Sequence, residues 1–398
     1  MSTPEGWNIK AHDFWLLGKR QEAIGATVTA INVDPVPFPL RLGVQLGFYF
    51  SMVGDWKAAA VIFGQVNKAH PDDYEALLNH GVCLSRAGKD ERAIEVLLRA
   101  VARNDRVPVA WDSLAQSNFR LGRLAEARSA GRRALILKHA AALRRTSNWR
   151  PPGGLPSEFA RGKPSVIAFS LWGDNPRYLR GALQNVLAAR VLYPDWRCRF
   201  YVDRTVPQEL QKTLRELGAE LIVETDLNRL NNRHRLMRRF LVANDPGVGY
   251  FMVRDCDSVI GAREAQAVRD WLDSERWFHV MRDWWTHTDL MLAGMWGGVA
   301  GVLPDLHQLF AQYQSGQVET PNLDQWFLRD QVWHLIYPHC LAHDRCFGAL
   351  GALPFAGEEP VGSMHVGQDE FAVRREEQGA LLEPWITRLA CLRLPVAA

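Results

Sequence analysis

The chain has 398 residues, 47% hydrophobic and 23% charged, which supplies apolar material for two buried cores and excludes wholesale disorder. Its net charge of +3 is unevenly spread: residues 1–141 carry 18 basic against 14 acidic side chains, 142–164 carry 5 against 1, and 165–398 carry 24 against 29. The most basic part is therefore a short junction rather than a working domain, which argues against a nucleic-acid binder. The uncharged stretch 290–304 is Gly-rich and shorter than the roughly 20 apolar residues of a spanning helix, so no transmembrane segment is expected. Residues 1–5 lack a basic start and an apolar run, so no export signal is read and a cytoplasmic location is expected. Six cysteines without C-x-x-C spacing read as reduced thiols.

Gly54, Gly88 and Gly122 lie 34 residues apart, and each is followed five positions later by Ala59, Ala93 or Ala127. Seven positions before each glycine stands another small residue, Gly47, Gly81 or Ala115, where two antiparallel helices would approach closely. Phe63 and Leu97 fill a bulky position, Ala100 and Ala134 the next small one, and a fourth copy is visible in Gly18, Ala23, Ala30 and Pro35. This pattern resembles tetratricopeptide repeats over roughly residues 4–141, assigned here to a helical solenoid at 1–141. The aromatic of the first helix survives only as Trp111, and Asp105 replaces the closing proline of the third copy. Stacked repeats of this kind bury a continuous core and leave a groove for a protein or an extended ligand; capping or dimerising the second domain is the other role left open.

The segment 142–164 clusters proline and glycine around several arginines and reads as a basic interdomain linker; contact of those arginines with an acidic acceptor or the inner membrane face is a further option. Beyond it, 165–398 alternates strands and helices: a buried strand at 165–170, a polar loop at 171–176, a helix at 177–192, a strand at 198–202, a helix at 207–217, a strand at 220–223, a helix at 233–243 and a strand at 250–253. Such alternation predicts an α/β sheet covered on both faces, with ligands beyond the carboxyl ends of its strands.

The strand 250–253 ends in Arg254-Asp255-Cys256-Asp257-Ser258. Two carboxylates one residue apart at a strand end can face a common divalent cation, and oxygen donors suit Mg²⁺ or Mn²⁺ bridging the phosphates of a nucleotide. Cys256 between them is expected to point into the sheet. Together with the loop 170–175, the arginines Arg235, Arg238 and Arg239, and Gly294-Met295-Trp296-Gly297-Gly298, this pattern resembles metal-dependent glycosyltransferases of the GT-A fold. The resemblance spans about 165–370.

It implies Asp255 and Asp257 as metal ligands, with His365 completing the site, and a nucleotide-diphosphate sugar as donor. It further implies that Met295, Trp296, Gly297 and Gly298 lie near the donor sugar, and that Asp324 and Gln325, with Asp330-Gln331 as a second pair, approach it. Ser170, Trp172, Arg238 and Arg254 are candidate donor contacts, the arginines through bidentate phosphate binding. Arg282 is a further candidate of that kind, and Trp284 and Trp285 could stack on a sugar. Asp283 or His287, after the strand 277–281, could serve as general base. The expected function is transfer of a sugar to a glycan or protein acceptor, with the repeats recruiting acceptor or partner. The rival reading is an interaction or scaffold protein whose second domain binds a nucleotide sugar without turning it over.

Overall fold

The structure is a computed structural model that describes residues 3–226, 231–314, 322–360 and 362–394. The chain divides into two compact units, Met1–His139 and Ala140–Ala398. The first is built from helical hairpins: α1 (Ile9–Leu16) with α2 (Arg20–Ile31), α3 (Leu40–Met52) with α4 (Trp56–Ala69), α5 (Tyr74–Arg86) with α6 (Asp90–Arg103), and α7 (Pro108–Arg120) with α8 (Leu124–Ala142).

The periodic glycines set the turns. Gly18, Gly54, Gly88 and Gly122 each stand two residues past the end of a hairpin's first helix, with φ between 72° and 82°. That left-handed conformation ends a helix, and a side chain there would strain it. Within the hairpins, a methyl at Gly47 would lie 2.6 Å from the Phe63 ring, and one at Gly81 would lie 2.7 Å from Leu97. The recurring small residue is thus what lets the second helix close on the first. Phe63, Leu97, Ala100 and Leu114 then form one continuous apolar core. Asp105, in the place of the repeat's proline, ties its turn differently: its carboxylate accepts from Arg133 at 2.7 Å and its carbonyl from Trp111 Nε1 at 2.8 Å.

The second unit opens with α9 (Pro156–Ala160), β1 (Ser165–Leu171), α10 (Pro176–Leu192), β2 (Trp196–Val202), α11 (Gln208–Glu216) and β3 (Glu220–Val223). It continues with α12 (Asn232–Met237), β4 (Tyr250–Val253), α13 (Ala262–Asp273), β5 (Phe278–Arg282), β6 (Trp296–Val299), α14 (Leu306–Gln312), α15 (Leu323–Phe327) and β7 (Cys340–Asp344). The strands form one sheet in the order β3-β2-β1-β4-β6-β5-β7. β6 runs antiparallel to β4 and β5, and the other pairings are parallel. β1 is almost continuously buried, as a central strand covered on both faces must be. Phe169 stacks on Phe200 across β1 and β2, and Leu382, Leu389 and Leu392 from the last helices complete that core.

Two features differ from the sequence reading. The helix expected at 233–243 is α12 followed by a 3₁₀ segment, Arg238–Asn244, so adjacent arginines there diverge. The junction packs on its own unit instead of running as a solvated tether. Trp149 Nε1 donates to the Val302 carbonyl at 3.1 Å, Phe159 meets Trp277, and Arg145 donates to the Asp330 carbonyl at 2.9 Å.

Candidate active site

From β1 the strand order proceeds one way to β2 and β3 and the other way to β4, so the β1/β4 boundary is the topological switch point where an α/β sheet opens a crevice. A cleft of about 1180 Å³ lies there. Its walls include Ser170 and Trp172 from the end of β1, Asp255 and Asp257 from the end of β4, and Asp324 and Gln325 from α15.

The Asp-Cys-Asp turn is held from below by α10. A Cβ at Gly181 would overlap the Cys256 carbonyl, so only glycine lets the helix pass that close. Asn185 Nδ2 donates to the carbonyls of Cys256 and Ser258 at 3.3 and 3.0 Å, and its Oδ1 accepts from the Ile260 amide at 3.0 Å. Cys256 is buried with its thiol toward the Ser170 carbonyl, as the sequence led us to expect. On the other side the Asp255 carboxylate packs directly on Gly294, where a Cβ would overlap it.

Among the described residues, four carboxylates, Asp255, Asp257, Asp324 and Asp369, and three guanidinium groups, Arg177, Arg233 and Arg239, line the cleft. Both D-x-D carboxylates are engaged by arginine. Arg239, itself buried, pairs with Asp255 and also with Asp324 at 3.0 Å. Arg177 pairs with Asp257 at 2.5 Å and with Asp369 at 2.8 Å. Burial, together with the Asp255 charge, raises Asp257 above the usual carboxylate range despite Arg177. Asp324 is pushed up to about 6 by burial, with Arg239 opposing and Asp255 adding to the rise.

Other residues singled out from sequence stand elsewhere. Arg238 is buried and donates to the Val202 and Ile222 carbonyls at 2.9 and 3.3 Å, closing the ends of β2 and β3 instead of facing the cleft. Arg254 forms a buried pair with Glu264 at 2.8 Å, and Arg282 one with Asp344 at 3.0 Å. Trp296, Gly297 and Gly298 are β6 itself, fully inside the sheet. Their glycines make room for the Phe251 carbonyl and the Phe278 ring, not for a sugar.

Asp283 is buried and anchors a loop, accepting from the Val366 amide at 2.8 Å and pairing with Arg263 at 3.3 Å. His287 accepts from the Asp283 amide at 3.0 Å, and burial, with the neighbouring His365 and Arg282, lowers it to about 3. His365 stacks on Trp284 with ring centroids 4.5 Å apart, and its Nδ1 meets the Ser363 carbonyl at 2.7 Å. None of these three lines the cleft. Asp330 pairs with Arg329 and accepts from Tyr313 at 2.7 Å. Arg177 and Asp369 were not singled out from sequence. The signal for Arg177 is its place in the first turn after the Asn175 cap, where a helix at a sheet's carboxyl edge enters the crevice.

Among the described residues no group of three or more His, Cys, Asp or Glu is arranged to hold a metal ion. The donor set still fits a hydrated cation of the Mg²⁺ or Mn²⁺ kind, which uses one or two carboxylates and takes its remaining ligands from water and substrate phosphates. Two mutually repelling aspartates at a sheet's carboxyl edge have the oxygen-donor chemistry that such an ion uses.

A tetratricopeptide-repeat model matches residues 52–117. The solved structures that resemble the chain include MamA, 20% identical, covering 34% of this chain and 78% of that one with a TM-score of 0.32. MamA 41-end from Desulfovibrio magneticus RS-1 is 20% identical, covering 32% and 71% with a TM-score of 0.30. PcrH in complex with the chaperone binding region of PopD is 26% identical, covering 25% and 74% with a TM-score of 0.24. No curated protein matches the chain. The N-terminal region therefore carries a tetratricopeptide repeat, a module suited to protein partners. Among the described residues no helix is long and apolar enough to cross a membrane.

Proposed function

We propose that the chain joins a protein-docking repeat to a nucleotide-sugar-dependent glycosyltransferase domain of the GT-A type. The observation that carries this reading is the Asp255/Asp257 pair at the point where the strand order reverses, opening into the large cleft. The resemblance read from sequence supports it, as does the presence in the same cleft of Asp324, which shares Arg239 with Asp255, and of Gln325. Asp255 and Asp257 would hold the divalent cation, which when bound supplies Lewis-acid neutralisation of a departing diphosphate. Arg177 and Arg239 bring positive charge to the same wall, where charge-assisted hydrogen bonds to phosphate are strong. Asp324, raised to about 6, holds or releases a proton at its carboxylate near neutral pH, which suits it to acid–base work on an acceptor hydroxyl. The repeat recruits the protein acceptor or a partner.

One observation favours the second reading, an interaction protein with a catalytically silent domain: the tetratricopeptide repeat matched at residues 52–117 is a protein-docking module in its own right. The full chain incubated with Mn²⁺ and a panel of nucleotide sugars separates the two. Release of nucleoside diphosphate supports the transferase. Tight, Mn²⁺-dependent binding without turnover across the panel supports the silent domain.

A further inference from the structure

Arg177 occupies an unusual position for a guanidinium. A single nitrogen, Nη2, reaches Oδ2 of both Asp257 and Asp369. Arginine ordinarily grips a carboxylate with two parallel donors, which gives the stronger and more specific pair. Here the Nε is buried without a hydrogen-bond partner, and the group lies over the Tyr178 ring at 5.1 Å.

Backbone pairing keeps the two carboxylates together whatever Arg177 does: Glu370 N donates to the Asp257 carbonyl at 3.1 Å, and Ser258 and Asp369 form an antiparallel bridge. Two carboxylates fixed side by side repel, so a cation between them is favoured. The cation now there is tethered to α10 and 37% exposed at the cleft wall.

We propose that Arg177 is an ion-pair latch: it neutralises Asp257 and Asp369, would yield them to a bound divalent cation, and would then turn its guanidinium to the phosphate oxygens of the nucleotide. The proposal rests on the reading of the cleft as a nucleoside-diphosphate site. It makes two effects of opposite sign. Without Arg177 the carboxylates are open to the metal, while the nucleotide loses a partner.

The test titrates Mn²⁺ alone into the full chain, read by electron paramagnetic resonance of free Mn²⁺, for wild type, Arg177→Gln and Arg177→Lys; UDP, GDP and ADP are then titrated at saturating Mn²⁺. Arg177→Gln is expected to bind Mn²⁺ about tenfold more tightly and nucleoside diphosphate about tenfold more weakly, with Arg177→Lys within about threefold of wild type in both. Unchanged or weaker Mn²⁺ binding by Arg177→Gln overturns the latch. Tighter Mn²⁺ binding with none of the nucleotides bound by any of the three proteins supports displacement and overturns the nucleotide reading. No Mn²⁺ binding by any of them overturns both. A measurement on the wild type is independent of variant folding: Mn²⁺ should speed phenylglyoxal labelling of Arg177, read by mass spectrometry, at least about fivefold, and an unchanged rate overturns the latch.

Discussion

Replacing Asp257 by asparagine removes one charge from the cleft and little else. Its carboxylate is largely buried and pairs with Arg177, whose side chain is 37% exposed, so the lost ion pair is worth only about 0–1 kcal/mol after screening. Against that loss, the variant is relieved of burying an anion beside Asp255, the two effects that raise Asp257 in the wild type. The two contributions oppose each other, and the net change in stability is expected within about 1 kcal/mol, a melting shift of no more than about 2–4 °C for a unit of this size. The sign of the pH dependence follows from the same shift. A carboxyl raised on folding binds its proton more tightly in the native state, so wild-type stability falls as pH climbs from the ordinary carboxylate range to the raised value. Asp257→Asn should be flatter in that window. Turnover should respond very differently, because a cation without one of its two carboxylates forfeits several kcal/mol of charge stabilisation, a loss of about a hundredfold or more. Scanning calorimetry and release of nucleoside diphosphate measure the two quantities on one preparation. Full turnover in the variant, or a melting point lowered by 10 °C or more, on the order of 3 kcal/mol, would refute the assignment of Asp257 to the metal and not to the scaffold.

Gly294→Ala places a methyl where the Asp255 carboxylate now lies; overpacking of about 1–3 kcal/mol should be accompanied by weaker Mn²⁺ binding in a titration, and wild-type Mn²⁺ affinity would remove Asp255 from the ligand set. If Asp324 is the base, the transfer rate should rise as pH passes through about 6, where its carboxyl loses the proton. Asp324→Asn should then abolish that limb of the profile, whereas a limb that persists assigns it to another group. In the repeats, Leu97 is fully buried against Gly81, so Leu97→Ala should cost about 2–5 kcal/mol, seen as a lower urea midpoint; an unchanged midpoint would contradict the close hairpin packing.

What was legible in the sequence is what is local or periodic. Gly88 announces its turn because a left-handed residue after a helix is a local requirement, and Leu97 announces its place because the 34-residue period repeats its contact with a small residue. The end of β4 was legible for a similar reason: an apolar run followed at once by two carboxylates puts charge at a strand end. The misplaced residues fail on ambiguity of direction. Trp296-Gly297-Gly298 reads as a close approach to a ligand, but glycine allows close approach to anything, and here the neighbours are the Phe251 carbonyl and the Phe278 ring. Arg238 and Arg239 are adjacent in sequence, yet one caps two strand ends and the other joins Asp255 to Asp324, because successive residues of the 3₁₀ segment that holds both point about 120° apart.

Ion pairing across distant segments leaves no local pattern at all. Arg177 and Asp257 are 80 residues apart, and Asp369 joins them through its own ion pair with Arg177 and through backbone pairing beside Asp257 and Ser258. A D-x-D read in isolation suggests two free anions, but a folded protein does not leave repelling carboxylates uncompensated in a partly buried cleft. Some cation must accompany them, and among the described residues Arg177 and Arg239 reach these carboxylates. Their presence on Asp255 and Asp257 therefore does not distinguish a structural ion-pair network from a metal site, since both need positive charge there. The difference lies in exchange. A structural network holds its arginines against millimolar Mn²⁺, whereas a metal site yields them, so competition between guanidinium and cation for Asp257 is the quantity that separates the two readings of this cleft.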